Sequence, residues 1–152
     1  MVLLTIPAKA GNMIAQYNLG CLYSQGLGVP KDGAASADWY WKAAEQGHME
    51  AQVCFAMCLY RGEGIPRDLE RCANMLRKSG DQGHAQAQYN LGVMYAKGEG
   101  VRQSRTEAAS WWQKAAEQGH PTAQLELGES PTRSKHFWLP LVRFVGRQFF
   151  EP

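Results

Sequence analysis

The sequence lacks several features that would point directly to a function. Its charge is nearly balanced, with 16 basic and 14 acidic residues among 152, so charge predicts neither a nucleic-acid nor a membrane partner. It has no apolar run of 18 residues, which argues against a membrane span. The N-terminal segment has no basic region before its short apolar run, so it does not resemble a signal peptide.

Cysteine is scarce, and its spacing excludes two common uses. Cys21, Cys54, Cys58 and Cys72 contain no C-x-x-C pair, so neither a zinc ribbon nor a thioredoxin-like site is predicted. We expect the four thiols to be small apolar packing residues. With no disulfide framework evident, we expect a cytoplasmic protein.

Residues suited to acid–base chemistry are also few. There are four histidines, and no Ser/His/acid set or carboxylate pair can be assembled at one level of the predicted fold. We therefore expect a non-enzymatic protein with no catalytic residue, no cofactor and no metal.

The sequence does contain a 36-residue repeat, and a fixed period of this length is typical of a solenoid fold. Residues 11–46, 47–82 and 83–118 align without a gap, and residues 119–128 begin a fourth unit that then stops matching. Eight positions are identical in all three units: Gly11, Ala15, Gln16, Gly26, Gly28, Ala37, Lys42 and Gln46, with their counterparts 36 and 72 residues further on.

Each unit predicts two helices joined by seven residues. In the first unit, Ala15, Leu19 and Leu22 follow helical spacing over residues 12–25, and a second helix is predicted over residues 33–46. Asp32, Asp68 and Ser104 stand where the second helix needs an N-cap. Since one hairpin cannot bury its apolar face alone, we predict an all-α solenoid of stacked hairpins forming a right-handed superhelix.

The G-x-G segments "GLGVPKD", "GEGIPRD" and "GEGVRQS" are predicted to be turns and not phosphate loops. They lack the Walker A spacing and hydroxyl, and a helix precedes them where a Rossmann loop would follow a strand. Glycine permits a positive φ where the chain leaves the first helix. Val29, Ile65 and Val101 are predicted to plug back into the core.

Gly20, Gly92 and Gly128 are predicted to lie inside first helices, where a recurring glycine indicates close helix–helix approach; Ala56 takes this position in the second unit.

The histidines and aromatics that recur with the repeat favour structural roles. His48, His84 and His120 are predicted at turns near N-caps; a metal ladder is disfavoured because stacked hairpins are about 8–10 Å apart, whereas zinc ligands lie about 2.0–2.1 Å from a shared ion. The second helices carry clustered aromatics, for which core packing is favoured over a base-stacking platform: Trp39, Tyr40, Trp41, Trp111 and Trp112.

The stretch "AQYNLGCLYSQGLGVPKDGAASADWYWKAAEQGH" resembles the Sel-one-like repeat (SLR), a relative of the tetratricopeptide repeat, and so does "AQAQYNLGVMYAKGEGVRQSRTEAASWWQKAAEQGH". The resemblance covers about residues 11–128. It implies an adaptor or scaffold that binds a protein or peptide in a concave groove lined by the first helices. Carried over residue by residue, it implies these groove residues: Tyr17, Cys21, Ser24, Val53, Met57, Tyr60, Arg61, Tyr89, Val93 and Lys97.

Two other functions stay open. A structural self-assembly unit would pair solenoid ends between chains. A β-lactamase-like hydrolase is attributed to a cysteine-rich branch of the family, but that branch carries C-x7-C pairs and this sequence has none.

Both ends depart from the repeat. Residues 1–10 are predicted to be a partial cap that Pro7 interrupts. Residues 129–152 are nonstandard; the spacing of Leu141, Phe144, Val145 and Phe149 predicts a short amphipathic helix that caps the last repeat. The alternatives are a dimer or partner contact and a disordered or membrane-surface tail.

Overall fold

A computed structural model describes residues 2–128, all of whose regular elements are helices. The eight helices follow one another as α1 (Val2–Lys9), α2 (Met13–Gln25), α3 (Gly33–Glu45), α4 (Met49–Arg61), α5 (Leu69–Asp81), α6 (Ala85–Lys97), α7 (Arg105–Glu117) and α8 (Pro121–Glu126). Consecutive helices pack on one another along the whole series. The predicted all-α solenoid is confirmed, with α2–α3, α4–α5 and α6–α7 as its hairpins.

The predicted caps define where the helices begin and end. The side chains of Asp32, Asp68 and Ser104 accept hydrogen bonds from the third backbone N–H beyond them. Gly26, Gly62 and Gly98 end the first helices in the left-handed conformation, with φ near +70°. Each hairpin connection has the seven residues that the sequence predicts.

In the second and third G-x-G turns, the second glycine is required for a reason beyond its φ. Gly64 lies against the backbone of Gly33, at the start of the preceding repeat's second helix, and Gly100 lies in the same way against Leu69. A Cβ on either glycine would collide with that backbone, whereas one on Gly28 would meet nothing. Repeats therefore dock through these turns, and Ile65 and Val101 pack against the core as predicted.

Inside each hairpin, a small residue on the first helix makes room for a larger side chain on the second helix. A Cβ on Gly20 would lie 2.5 Å from the ring of Tyr40, and one on Gly92 would lie 2.5 Å from the ring of Trp112. In the middle repeat the equivalent positions hold Ala56 and Leu76, both fully buried. The close helix–helix approach predicted from Gly20 and Gly92 is confirmed, because an aromatic ring packs directly against each glycine. In the middle repeat, where alanine replaces the glycine, leucine replaces the ring.

Two predictions about the ends are wrong. Helix α1 continues through Pro7, although a proline inside a helix cannot donate to the carbonyl four residues before it. In its last turn, the carbonyl oxygen of Ala8 accepts hydrogen bonds from the Gly11 backbone N–H and from the Gln16 side-chain amide. Gly128 is not inside a helix, because α8 ends at Glu126 and Gly128 has φ +72°. The helix predicted within 129–152 lies outside the described residues.

Candidate functional site

The ten predicted groove residues, here called the first-helix face, differ widely in exposure. Val53, Tyr89 and Val93 are buried, with 7%, 4% and 6% of their surface exposed. The others are half-buried or exposed: Tyr17, Cys21, Ser24, Met57, Tyr60, Arg61 and Lys97. The three buried members belong to the packing of the repeats, so a ligand on this face would meet chiefly the remaining seven.

Tyr17 and Cys21 belong to a polar cluster between the first and second repeats. The Tyr40 hydroxyl donates to Cys21 Sγ at 3.5 Å, and the rings of Tyr17 and Tyr40 are 5.9 Å apart. Burial raises the pKa of both tyrosines, and the nearby Cys54 raises it further. Both phenols therefore stay protonated at neutral pH, and the Tyr40 hydroxyl keeps its donated hydrogen bond.

The C-terminal ends of α4 and α6 form a more polar edge of the same face. The Tyr60 hydroxyl donates to Glu99 Oε2 at 3.0 Å, and burial followed by this carboxylate raises the pKa of Tyr60. Arg61 and Lys97 stand exposed in the last turns of their helices. The Arg61 guanidinium lies 3.9 Å from Glu63, an exposed pair that contributes little to stability. This edge can present a cation to an acidic group.

The recurring histidines cap the first helices, as predicted. Nδ1 of His48, His84 and His120 accepts the backbone N–H of the third residue beyond it at 3.2–3.3 Å. This role requires the neutral ring with the proton on Nε2. Burial lowers the pKa of His84, and the Glu50 carboxylate opposes that shift.

Two of these rings also join neighbouring repeats. Tyr17 stacks on His48 at 4.6 Å between ring centroids, and Tyr89 stacks on His120 at 4.7 Å. Within residues 2–128, no group of three or more His, Cys, Asp or Glu side chains could hold a metal ion.

The aromatic residues of the second helices divide between the core and its edge. Tyr40, Trp111 and Trp112 are buried, while Trp39 and Trp41 are half-buried. The Lys42 ammonium lies 4.4 Å from the Trp39 ring centre and the Lys114 ammonium 4.0 Å from that of Trp111. Trp41 packs on Phe55 of the next repeat at 5.1 Å between ring centroids, and Trp111 lies in the core cluster shared by the second and third repeats, so these aromatics are part of the packing of the repeats.

Sequence reasoning found the identical glutamines but not what they do. Buried Gln16, Gln52 and Gln88 each donate to a carbonyl near the end of the preceding second helix, at 2.9–3.2 Å. Their Oε1 atoms accept from Gln46, Gln82 and Gln118 at 2.7–2.8 Å. This glutamine ladder satisfies buried amides and ties each repeat to the one before it. Strict recurrence of a polar residue inside an apolar helix face is the signal that could have revealed it.

Stacked helical hairpins with positive-φ turns define the class: an all-α repeat solenoid. The Sel1 repeat family model matches residues 14–48, 51–84 and 85–120, and the chain belongs to that family. Sel1 repeats are generally protein-interaction modules, and the proteins that carry them are typically non-enzymatic scaffolds.

Two solved structures resemble the chain at a TM-score of 0.80. One is a protective antigen of uropathogenic Escherichia coli with an SLR fold, 38% identical over 83% of this chain and 27% of its own. The other is a Sel1 repeat protein from Oxalobacter formigenes, 35% identical over 84% of this chain and 53% of its own. The chain thus spans about a quarter of the first and about half of the second.

A third structure, cysteine-rich protein B of Helicobacter pylori, is 20% identical with a TM-score of 0.56. The match covers 58% of this chain and 66% of the Helicobacter pylori protein. That likeness shows the fold alone. Comparison with curated proteins gave no match. None of the described helices is long and apolar enough to cross a membrane.

Proposed function

We propose that the chain is a non-enzymatic interaction module that binds a peptide or protein segment on the first-helix face. The observation that carries the proposal is the surface that packing leaves available. After Val53, Tyr89 and Val93 are buried, the face still offers aromatic, sulfur-containing and cationic side chains. Tyr, Met and Arg are enriched at protein interfaces.

The two cations give the partner a chemical character. Arg61 and Lys97 lie in equivalent positions of successive repeats, at the end of α4 and α6. An extended segment crossing the second and third repeats would place acidic groups against them and an apolar group against Met57. A segment that continues across the first repeat would also place an apolar group against Tyr17. Guanidinium–carboxylate pairs supply directional hydrogen bonds as well as charge.

The test uses a random peptide library displayed on phage and selected on the purified chain. Dissociation constants of the selected peptides are then measured by fluorescence anisotropy with the wild type and two double variants. Arg61→Ala/Lys97→Ala alters the proposed face, while Lys78→Ala/Arg105→Ala removes the same charge from exposed sites on the second helices. We expect affinity to fall at least tenfold in the first variant and to stay within twofold in the second. The opposite order, or equal losses, would show that the first-helix face is not the binding surface.

Self-association is a second candidate, favoured by exposed apolar side chains on α1 and α2. Leu3, Ile6 and Ile14 are 89%, 68% and 58% exposed, and clustered apolar surface often marks an interface. Light scattering of the wild type and of Leu3→Ser/Ile6→Ser tests this function. A concentration-dependent dimer lost in the variant would support it, and a wild-type monomer at all concentrations would remove it.

A further inference from the structure

We propose that a second copy of the chain covers the N-terminal end of the solenoid, so that two copies pair through this end about a two-fold axis. The surface consists of Leu3, Ile6, Leu27 and Gly28, and is here called the leading face. This inference rests on the self-association proposed above as a second function, and it names the surface and the symmetry of that association.

Helix α1 is equivalent to the end of a second helix. A shift of 36 residues places Val2 on Asp38 and Lys9 on Glu45, so α1 matches the last eight residues of α3. It also packs on the next first helix as a second helix does, since the Gln16 side chain donates to the Ala8 carbonyl at 3.0 Å. Helix α1 therefore forms the outermost described layer at the N-terminal end of the stack.

Leu3 occupies a position that packs between repeats elsewhere in the chain. Its equivalents further along are Met75 and Trp111, and a Cβ on Gly80 of the preceding second helix would lie 3.2 Å from the Trp111 ring. Met75 and Trp111 are 5% and 7% exposed, whereas Leu3 is 89% exposed. An apolar side chain at a position that is otherwise buried between repeats thus stands in solvent.

The turn of the first repeat shows the same difference. Gly64 and Gly100 lie against the backbone of the preceding repeat's second helix, whereas a Cβ on Gly28 would meet nothing. Gly28 nevertheless has the same backbone conformation, with φ +73°. The first turn therefore has the shape that docks on a helix start, with no described helix against it.

The residue before Gly28 is apolar only in the first repeat. Leu27 is 55% exposed, and its equivalents are Glu63 and Glu99. Glu99 Oε2 accepts from the Tyr60 hydroxyl of the preceding repeat at 3.0 Å, so this position faces the preceding layer. Ile6, which is 68% exposed, likewise replaces a residue that is lysine in all three repeats: Lys42, Lys78 and Lys114. Both exchanges add apolar surface to the N-terminal end, as expected for an interface.

The two parts of the leading face adjoin. Gln16 bonds to Ala8, and Leu4 packs in the same cluster as Leu22, so α1 runs antiparallel to α2 and begins beside its last turns. The start of α1, with Leu3, therefore lies toward the turn that holds Leu27.

The distribution of apolar surface favours a two-fold contact. Of the six exposed large apolar residues in the described chain, five lie within residues 3–27, and Leu125 alone lies near the other described end. A head-to-tail contact would place the leading face against that less apolar end. A two-fold contact instead places it against an identical surface and removes both leading faces from water at once.

Sedimentation velocity of the full chain over a range of concentrations tests the proposal, with Leu27→Glu and Leu125→Glu as matched variants. Both leucines are 55% exposed, and Leu27→Glu introduces the residue that the other two turns carry, so the fold accommodates it. We expect a wild-type dimer and no larger species. The dimer dissociation constant should rise at least tenfold in Leu27→Glu, because the charge enters a two-fold interface twice. In Leu125→Glu it should stay within twofold.

The contrary outcomes separate this inference from self-association itself. A dimer that Leu27→Glu leaves unchanged would overturn the leading face as the contact and leave self-association standing. Weakening by both variants, with species larger than a dimer, would show head-to-tail pairing and overturn the two-fold axis. A wild-type monomer at every concentration would remove both self-association and this inference.

Discussion

At the scale of single residues, the protonation state of His84 determines whether α6 keeps its N-cap. Its Nδ1 accepts from the Ala87 N–H only while the ring is neutral, and burial lowers its pKa from 6.5. At mildly acidic pH the unfolded chain therefore binds more protons here than the folded chain. Stability is fully retained above the unfolded pKa and is lost as the pH falls through 6.5 and below.

His84→Asn should weaken that pH dependence without removing the cap. Asn12 already caps α2 in this way, accepting the Ala15 N–H at 3.0 Å. Urea unfolding at pH 8 and pH 5.5 should show a loss between the two that is smaller in the variant by up to about 1 kcal/mol. His84→Ala, the control that loses the cap, should be about 1 kcal/mol less stable than His84→Asn at both pH values, since the Asn cap does not titrate. Identical pH dependence in wild type and His84→Asn would contradict the role of His84.

Gly92 and Trp112 should behave as one unit. Gly92→Ala would push a methyl group to 2.5 Å from the indole, at a cost of about 1–3 kcal/mol. Adding Trp112→Leu reproduces the Ala56 and Leu76 combination of the middle repeat. In a double-mutant cycle measured by chemical denaturation, we expect the double variant to be at least about 1 kcal/mol more stable than additivity predicts. Additive losses would mean that the two side chains are not in steric conflict.

At the scale of elements, the hairpin connections both reverse the chain and join repeats. A methyl group on Gly28 meets only the penalty of a positive φ, about 1–2 kcal/mol for an L-residue. At Gly64 the same change also collides with the Gly33 backbone. The backbone of Gly33 cannot rotate away from the added methyl group as a side chain could. Comparing the two substitutions therefore separates the free-energy cost of the collision from that of the positive φ.

Gly64→Ala should therefore destabilise the chain by about 2 kcal/mol more than Gly28→Ala. The two glycines have φ values of +76° and +73°, so conformational strain is matched. Urea midpoints with unchanged slopes are the measurement. Equal midpoints for the two variants would show that the contact between Gly64 and Gly33 carries no stability.

At the scale of the whole molecule, the sequence predicted what is local and repeated. Helix starts at Asp32 and His48 depend on neighbouring residues, so capping rules sufficed. Pro7 misled because the rule that proline interrupts a helix considers only the local chain, whereas α1 continues through Pro7 as it packs on α2. The burial of Val53 and Tyr89 depends on adjacent helices, which spacing within one helix does not determine.

The same limit applied to the glutamines. The partners of Gln52 are 8 and 30 residues away, so no window the length of one helix contains both bonds. Identity across repeats marked these residues as necessary, but only the packed structure shows their geometry.

The glutamine ladder also determines how such a chain can change in length. Each of its bonds spans 8 or 30 residues, and the same spacings recur in the next repeat. Duplicating or deleting any block of 36 residues leaves every remaining glutamine with a donor and an acceptor at the correct separation. Shorter insertions inside a repeat shift one bond of the ladder and expose a buried amide. Duplication or deletion within the gene can thus lengthen or shorten this protein by whole repeats, because the glutamines at each new junction form the same hydrogen bonds as before.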